Sequence, residues 1–250
     1  MDNLKSSQKL LMAVKKELFE PVFQPIINNR SGEIEKFEAL VRLVDEETGK
    51  FLTPNLFLNQ VKDIGKIKDL TRIMIDKVFA KLSGKDFTVS INITEEDFLD
   101  KNFVKYVREK LKQYSISPNK VIFEIVESIT RSDRVIRVIN DLKKLGFLIA
   151  IDDFGTEHSN FLRLLELQVD FIKIDGAFIK DINNSYKSYK IVETIVNFAN
   201  SINTAVVAEF VSDVKIQERV LELKIEYSQG YLISKPKKEL SASTTYLISN

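Results

Sequence analysis

The chain has 250 residues, of which 44% are apolar, so it can bury the core of one large α/β domain or of two small domains. Its 37 basic and 36 acidic residues leave a net charge of +1, which excludes recognition of nucleic acid or an anionic membrane by overall charge. The absence of cysteine excludes disulfides, thiolate zinc sites and cysteine nucleophiles. With no apolar stretch long enough to cross a bilayer and no signal-peptide pattern, we expect a cytoplasmic protein with no membrane span in this segment.

The N-terminal residues are predicted to form an amphipathic helix. A polar lead precedes the sequence LLMAVKKELF, in which apolar and charged residues alternate at helical spacing. This helix is either the end of a linker from an upstream domain or a cap on the bottom of the fold that follows. Both interpretations account for the pattern.

Eight segments rich in β-branched and aromatic residues are predicted to be strands. They are residues 21–28, 34–43, 87–93, 121–127, 147–154, 171–175, 205–210 and 228–233. Only NRSGE separates the first two segments, a hairpin-like turn that predicts an antiparallel pair.

Helical patterns separate most of the later strands, at residues 133–146, 189–202 and 212–225. Strands that alternate with helices, without a flexible linker, predict an α/β fold in one domain. We expect a modified TIM-like β/α barrel with an antiparallel first strand, and an open doubly wound sheet is the alternative.

Polar residues interrupt these apolar strands. They are Glu38, Asn92, Glu124, Asp152, Asp153, Lys173, Asp175 and Glu209, and the last strand adds Gln229. In a β/α barrel the active groups lie at the carboxyl ends of the strands, so this set would converge. A paired structural carboxylate explains any single position equally well, but converging carboxylates could not all stay ionised at neutral pH without cations. Oxygen ligands without cysteine favour magnesium or manganese over zinc.

Asp152 and Asp153 are adjacent, so in a regular strand only one of them could face the barrel axis. Gly155 indicates that the strand is already turning, and a bend would let one aspartate bridge two metal ions while the other binds the second. Two metals activate water for displacement at phosphorus, which makes a phosphoester the natural substrate. Arg42 stands about 13 Å along the strand from Glu38 and could hold a second phosphate.

Lys173 has two interpretations. It could form a Schiff base, as in barrel aldolases, or it could orient the attacking water and stabilise charge in the transition state. The surrounding acidic residues should hold its pKa up, which opposes the nucleophilic role. The single histidine, His158, is predicted to be a loop residue rather than a ligand or base, and the common phosphate-loop, dinucleotide and serine-elbow motifs are absent.

The segments FQPI, FEALVR, VSINI, FEIVES, IDDFGT, FIKID, AEF and SQGYLISKP occur in the order and approximate spacing of a known family. The chain resembles the EAL domain, a phosphodiesterase that opens cyclic di-GMP to linear pGpG. The resemblance covers roughly residues 20–237, which leaves residues 1–19 as an N-terminal lead and 238–250 as a C-terminal tail. It implies the same modified barrel, a homodimer, and commonly an upstream sensor or cyclase-like domain.

Carried over position by position, the resemblance implies a role for each matched residue. The ligands of a magnesium or manganese pair would be Glu38, Asn92, Glu124, Asp152, Asp153 and Glu209. Glu209 is an alternative base for the attacking water, which Lys173 would position. The substrate contacts would be Gln24, Arg42, Gln229 and Asp175, the last as a substrate-side or supporting residue. Glu127 would brace the loop after the aspartate pair, and calcium is expected to inhibit.

Two stretches depart from the family pattern. Glu157, His158 and Ser159 follow DDFGT where the family usually has glycine, an aromatic residue and serine. Phe210 and Ser212 in AEFVS replace the glycine and second glutamate of AEGVE. No matched metal ligand is lost, so we expect a competent centre. The alternative is a catalytically weak or inactive receptor for cyclic di-GMP or a protein-interaction module.

Overall fold

The computed structural model describes residues 2–128, 132–155 and 161–241, with the side chains of residues 7–128, 132–155 and 164–241. The strands are β1 (Phe19–Asn28), β2 (Ile34–Val44), β3 (Phe51–Leu52), β4 (Thr88–Asn92), β5 (Val121–Val126), β6 (Leu148–Phe154), β7 (Phe171–Ile174), β8 (Ala205–Ala208) and β9 (Tyr227–Gln229). The helices are α1 (Asp2–Lys15), α2 (Leu58–Asp63), α3 (Ile67–Leu82), α4 (Glu95–Phe98), α5 (Phe103–Tyr114), α6 (Asp133–Lys144), α7 (Phe161–Leu167), α8 (Gly176–Ile179), α9 (Tyr186–Ser201) and α10 (Val214–Glu222). Among these described helices, none has the length and apolar character needed to span a bilayer.

The sheet closes into a barrel. Its strands follow the order β1, β9, β8, β7, β6, β5, β4, β2, and the ring is completed by pairing of β1 with β2. β1 is antiparallel to both neighbours, whereas the ladders from β2 through β4 to β9 are parallel. The predicted modified barrel with an antiparallel first strand is therefore confirmed. A closed sheet excludes the open doubly wound alternative.

The structure shortens two predicted strands and adds one. The segment 205–210 ends as a strand at Ala208, and 228–233 is a strand only as far as Gln229. The chain then turns at Gly230, whose carbonyl accepts hydrogen bonds from the amides of Ile233 and Ser234. β3 pairs antiparallel with the end of β2, and its two residues are too few for alternation to reveal a strand.

Helix α1 packs beside the β2–β3 hairpin. Leu10 and Ala13 of this helix are buried in the main core, and the ammonium of Lys16 lies 2.6 Å from the carboxylate of Glu46. The hairpin lies at the carboxyl end of β2, so α1 does not lie at the amino-terminal bottom of the barrel. The interpretation of α1 as a cap on the bottom of the fold is therefore wrong. The boundaries 1–19, 20–237 and 238–250 stay predictions.

Alternation along the strands divides the barrel interior into two layers. A small core cluster of Ile26, Ile122, Ala150, Phe171 and Val207 is separate from the main core, to which the intervening residues belong. The side chains of the small cluster therefore face the barrel axis, and the intervening ones face the helices. Two residues further along each parallel strand, the inward position is polar: Glu124, Asp152, Lys173 and Glu209. The period of two brings the interrupting polar residues to one level.

Lys36 forms part of the lower layer. It lies two residues before Glu38 on the same face of β2 and is only 9% exposed. Its ammonium stands 3.9 Å from the ring centroid of Tyr227 and 3.3 Å from the carboxylate of Glu35. The amino-terminal end of the barrel thus holds one lysine of its own, separate from the polar layer above it.

Gly230 permits a close approach of two backbone segments. A Cβ atom at this position would overlap the backbone nitrogen and carbonyl oxygen of Val211. Backbone atoms cannot rotate away as a side chain can, so any larger residue must displace the end of β9.

We predict that Gly230→Ala lowers the free energy of unfolding by about 3 kcal/mol, measured by urea denaturation. The matched control is Gly49→Ala, because Gly49 has a φ of 66° but nothing within 4 Å of the added atom. That control should lose only about 1 kcal/mol through backbone strain. Equal losses in the two variants would show that the contact with Val211 is not restrictive.

Candidate functional site

The ammonium of Lys173 is the centre of the upper layer. It lies 2.9 Å from carboxylate oxygens of Glu124, Asp152 and Glu209, and 3.3 Å from one of Glu38. The Lys173 side chain is 2% exposed. One buried cation is therefore shared by four carboxylates that come from four different strands or strand ends.

This excess of acidic groups shifts their pKa values in different directions. Burial and the negative charge of Glu38 raise the pKa of Glu124 well above its ordinary value. Burial raises the pKa of Glu209 to about 8, even though Lys173 opposes the shift. For Glu38 burial also raises the pKa, but Lys173 and hydrogen bonds from Gln229 and Asn92 together hold it below the ordinary value. The layer therefore needs more positive charge than Lys173 supplies if every carboxylate is to ionise at neutral pH.

A bulge lets both adjacent aspartates reach the site. The pairing of β6 with β7 shifts register between Ile151 and Phe154, and Asp153 adopts a left-handed conformation with φ of 53°. The predicted bend is therefore found, and it falls on Asp153 itself as well as on Gly155, whose φ is 98°. Burial and the neighbouring Asp152 raise the pKa of Asp153 to about 7.

The residues at this bulge fit a divalent metal. Asp152, Asp153 and Glu209 each offer a carboxylate oxygen, and the three oxygens lie within 4.8 Å of one another. Oδ1 of Asp152 is buried without a hydrogen-bond partner among the described residues, although it lies 2.9 Å from the Lys173 ammonium. A buried carboxylate oxygen with incomplete hydrogen bonding, beside two further carboxylates, suits a hard cation.

The other predicted ligands gather around the same point. The Asn92 side chain donates to Glu38 Oε1 over 3.2 Å, and Glu38 and Glu124 both contact Lys173. The structure thus brings together all six residues assigned to the metal pair: Glu38, Asn92, Glu124, Asp152, Asp153 and Glu209. Their action as ligands stays a prediction.

The predicted substrate residues Gln24 and Gln229 belong to the hydrogen-bond network around Glu38. The amide of Gln229 donates to Glu38 Oε2 over 2.7 Å and to Gln24 Oε1 over 3.4 Å. The amide of Gln24 donates to the carbonyl of Ser234 over 3.3 Å. Gln229 thus orients Glu38 directly, Gln24 contacts Gln229, and both glutamines line the cleft.

A cleft of about 600 Å³ opens above the carboxylates. Arg42 lines it on the β2 side, and its guanidinium donates to the Val41 carbonyl over 2.8 Å. Desolvation lowers the pKa of Arg42, although Tyr231 and Glu38 oppose the shift. The guanidinium therefore lies where a second anionic group of a ligand bound at the carboxylates could reach it.

Asp175 and Glu127 have supporting positions. The carboxylate of Asp175 accepts a hydrogen bond of 2.6 Å from the amide of Ala177, so it caps helix α8, and its charge raises the pKa of Asp153. Glu127 is buried at the end of β5. The loop that Glu127 is predicted to brace contains residues 156–160, and Glu157, His158 and Ser159 lie outside the described residues.

The cleft is also lined by residues that the sequence did not assign to the site. They are Leu40, Lys180, Phe210, Ser212, Gly230, Tyr231 and Pro236. In the sequence, Phe210 and Ser212 are marked only as departures from the family pattern. Lys180 follows a four-residue helix and Tyr231 follows a short strand, so neither shows a periodicity that marks an inward position.

We predict that Lys173→Met lowers the free energy of unfolding by about 3 kcal/mol in the presence of chelator, because four carboxylates, three of them buried, lose their shared cation. Added manganese should recover more of this loss in the variant than it adds to the unmodified chain. The measurement is urea denaturation with manganese and with chelator.

The matched control is Lys36→Met, which removes the lysine of the lower layer. Its nearest carboxylate, on Glu35, is 40% exposed, so we expect a loss of about 1 kcal/mol and no response to manganese. Equal losses in both variants, or no response of the Lys173 variant to manganese, would contradict the central role of Lys173.

Comparison with known proteins agrees with the fold. The model of the family described as the EAL domain matches residues 7–236. The chain is 36% identical over 221 residues to the probable cyclic di-GMP phosphodiesterase PdeA of Escherichia coli K12, covering 86% of this chain and 30% of the relative. It is 30% identical over 237 residues to the cyclic di-GMP phosphodiesterase PdeB of Shewanella oneidensis, covering 92% of this chain and 28% of that protein.

Among solved structures, the PaMucR phosphodiesterase in complex with cyclic di-GMP superposes with a TM-score of 0.87 at 27% identity, covering 93% of this chain and 97% of that chain. The chain spans less than a third of the length of the two curated relatives. Because the family match extends over nearly the whole chain, the chain belongs to the EAL domain family.

Proposed function

We propose that the chain is a metal-dependent phosphodiesterase that hydrolyses cyclic di-GMP to linear pGpG. The proposal rests on one observation: the carboxylates of Asp152, Asp153 and Glu209 form a cluster beside the Lys173 ammonium. This cluster lies at the base of a cleft that Arg42 lines. Relatives named as cyclic di-GMP phosphodiesterases, and a neighbouring structure named as a cyclic di-GMP complex, support the choice of substrate.

The metal pair would be magnesium or manganese, held by Asp152, Asp153, Glu209, Glu38, Asn92 and Glu124. When bound, the two ions activate the attacking water and stabilise the leaving oxygen of an in-line displacement at phosphorus. Glu209 is either one of these ligands or the residue that accepts the proton of that water at a carboxylate oxygen, because its carboxylate lies beside those of Asp152 and Asp153.

Lys173 acts as a cation in this mechanism. Four neighbouring carboxylates raise its pKa well above the ordinary value in spite of burial, so the amine stays protonated at neutral pH. A Schiff-base nucleophile must be neutral, which disfavours the aldolase-like interpretation. Its ammonium can donate to the attacking water or to a phosphoryl oxygen and so stabilise negative charge that develops in the transition state.

Arg42 accounts for the second phosphate of a cyclic dinucleotide. A guanidinium can form two parallel hydrogen bonds to phosphate oxygens, which fixes orientation as well as affinity. Gln229 holds Glu38, Gln24 contacts Gln229, and both glutamines line the cleft, where their amide groups can contact the same ligand. Asp175 supports the site through its cap of α8 and its contact with Asp153.

The wider setting of this domain belongs to the proposal too. We expect a homodimer in the cytoplasm, and an upstream sensor or cyclase-like domain fits the small share of each curated relative that the chain covers. Calcium should bind without supporting turnover, because it prefers more ligands and longer distances than magnesium.

The alternative is a receptor that binds cyclic di-GMP and hydrolyses little. Phe210, which replaces a family glycine beside Glu209, is the observation that favours it. Tight binding without product in either magnesium or manganese would support the receptor and overturn the hydrolase.

We predict that Glu38→Ala lowers turnover of cyclic di-GMP by about 10³-fold, because Glu38 joins Asn92, Gln229 and Lys173 at the metal site. The assay follows pGpG formation with magnesium, with manganese and with chelator. Glu35→Gln is the matched control: Glu35 lies on the same strand with its side chain 40% exposed, and its activity should match the unmodified chain. Retained turnover in Glu38→Ala would contradict the proposed site.

We predict that Arg42→Ala raises KM for cyclic di-GMP by about tenfold with a smaller change in kcat, since the guanidinium binds a phosphate that does not react. The KM of Arg42→Lys should lie between those of the unmodified chain and Arg42→Ala, because lysine keeps the charge but cannot form paired hydrogen bonds. A fall in kcat of Arg42→Ala by about tenfold with KM unchanged would instead place Arg42 at the reacting phosphate.

A further inference from the structure

Phe210 stands at the edge of the cleft, directly after the site residue Glu209. It lines the cleft, and the residue is 54% exposed. Single exposed apolar side chains are common on protein surfaces, so exposure alone assigns no role to this ring. What distinguishes Phe210 is the way in which the surrounding structure holds it.

The backbone at Phe210 is in the left-handed region, with φ of 54°. A residue with a Cβ atom is disfavoured in this region, whereas glycine adopts it freely. Phe210 therefore has a strained backbone conformation. A glycine would give the same chain path without the ring.

The first residue of α8 makes room for this ring. A Cβ atom built on Gly176 would overlap Cδ2 and Cγ of Phe210. The ring thus lies directly against Gly176, and a larger residue at this position would have to displace the ring.

A lysine also contacts the ring. The Lys180 ammonium lies 4.0 Å from the centroid of the Phe210 ring, within the range of a cation–π contact. Lys180 follows Gly176 by four residues, so both approach the ring from the same short helix and its end. Lys180 also lines the cleft, which places a hydrogen-bond donor beside the exposed part of the ring.

An aromatic surface next to a lysine suits a purine base. Base stacking on an aromatic side chain contributes roughly 5- to 150-fold in affinity per base. Guanine offers two acceptors, O6 and N7, on one edge, whereas adenine offers a donor and an acceptor there. An ammonium is only a donor, so it distinguishes guanine from adenine.

We propose that Phe210 and Lys180 form a subsite for one guanine base of the ligand, which stacks on the exposed face of the ring in place of the cation–π contact, while the Lys180 ammonium moves to the edge of the base and donates to O6 and N7. As far as it names cyclic di-GMP, this inference depends on the proposed function. It changes the meaning of the departure at Phe210, from a lost glycine to a residue that determines specificity.

The main test is binding of cyclic di-GMP by calorimetry in calcium buffer, with the unmodified chain and with Phe210→Gly. Glycine is favoured at a φ of 54°, so the variant should fold at least as well as the unmodified chain. We expect affinity to fall at least fivefold, and Phe210→Trp to keep the original affinity or exceed it. Unchanged affinity in Phe210→Gly overturns the subsite.

Tyr186→Ala is the matched control for loss of an exposed aromatic ring beside a lysine. Tyr186 is 78% exposed, and the Lys190 ammonium lies 5.8 Å from its ring, on helix α9. Its removal should leave the affinity for cyclic di-GMP unchanged. A loss equal to that of Phe210→Gly would overturn the assignment of stacking to Phe210.

A second measurement tests Lys180 through base preference. The unmodified chain should bind cyclic di-GMP more tightly than cyclic di-AMP, and Lys180→Met should reduce that ratio at least fivefold. An unchanged ratio overturns the role of Lys180 in guanine recognition.

A third measurement tests how the ring is held. Gly176→Ala should weaken binding of cyclic di-GMP in the unmodified chain, because the added methyl group displaces the ring. The same change in the Phe210→Gly background should have no further effect on affinity. Additive losses would overturn the coupling between Gly176 and Phe210.

The two proposals fail in different ways. If the unmodified chain binds cyclic di-GMP without hydrolysing it, while Phe210→Gly binds it weakly, the phosphodiesterase is overturned and the subsite is supported. If the unmodified chain hydrolyses cyclic di-GMP and Phe210→Gly binds it equally well, the subsite alone is overturned. No binding by the unmodified chain overturns both.

Discussion

The contact of one buried ammonium with four carboxylates is the constraint on which the site depends. Lys173 lies within 3.3 Å of Glu38, Glu124, Asp152 and Glu209, and it is almost fully buried. Desolvated carboxylates at this density repel one another strongly, and one lysine compensates only part of their charge. The remaining imbalance is the physical reason that the layer suits divalent cations, and the raised pKa values of Glu124 and Glu209 express it.

The barrel makes this arrangement possible by separating the apolar packing from the charge. The inward positions of one level form a small apolar cluster, and the next inward positions of the same strands carry the polar groups. Below the polar groups, in the lower layer, Lys36 packs on the ring of Tyr227 at the amino-terminal end of the barrel. The main core between strands and helices stays apolar, so stability comes from one layer of the molecule and chemistry from another.

Local departures from regular strand geometry refine the site. The bulge at Asp153 turns a second carboxylate toward the first, the close approach at Gly230 joins the loops that follow β8 and β9, and Gly176 leaves space for the ring of Phe210. The bulge turns toward the cleft a side chain that a regular strand would direct elsewhere, and the two glycines permit close contacts around the cleft. The cleft thus combines a cluster of carboxylates at its base with an aromatic ring and a guanidinium at its walls.

The sequence by itself determined the eight barrel strands, the antiparallel first pair, the polar layer and the family, because these depend on alternation, turn chemistry and ordered motifs along the chain. Even the bend at the aspartate pair followed from Gly155 and from two carboxylates on one strand. Only the tertiary structure decided that Lys173 is shared by four carboxylates, that β9 ends at Gln229, that α1 lies beside the β2–β3 hairpin, and that Phe210 rests on Gly176 with Lys180 above it. These contacts join residues far apart in the chain, and no local period in a sequence records the distance between them.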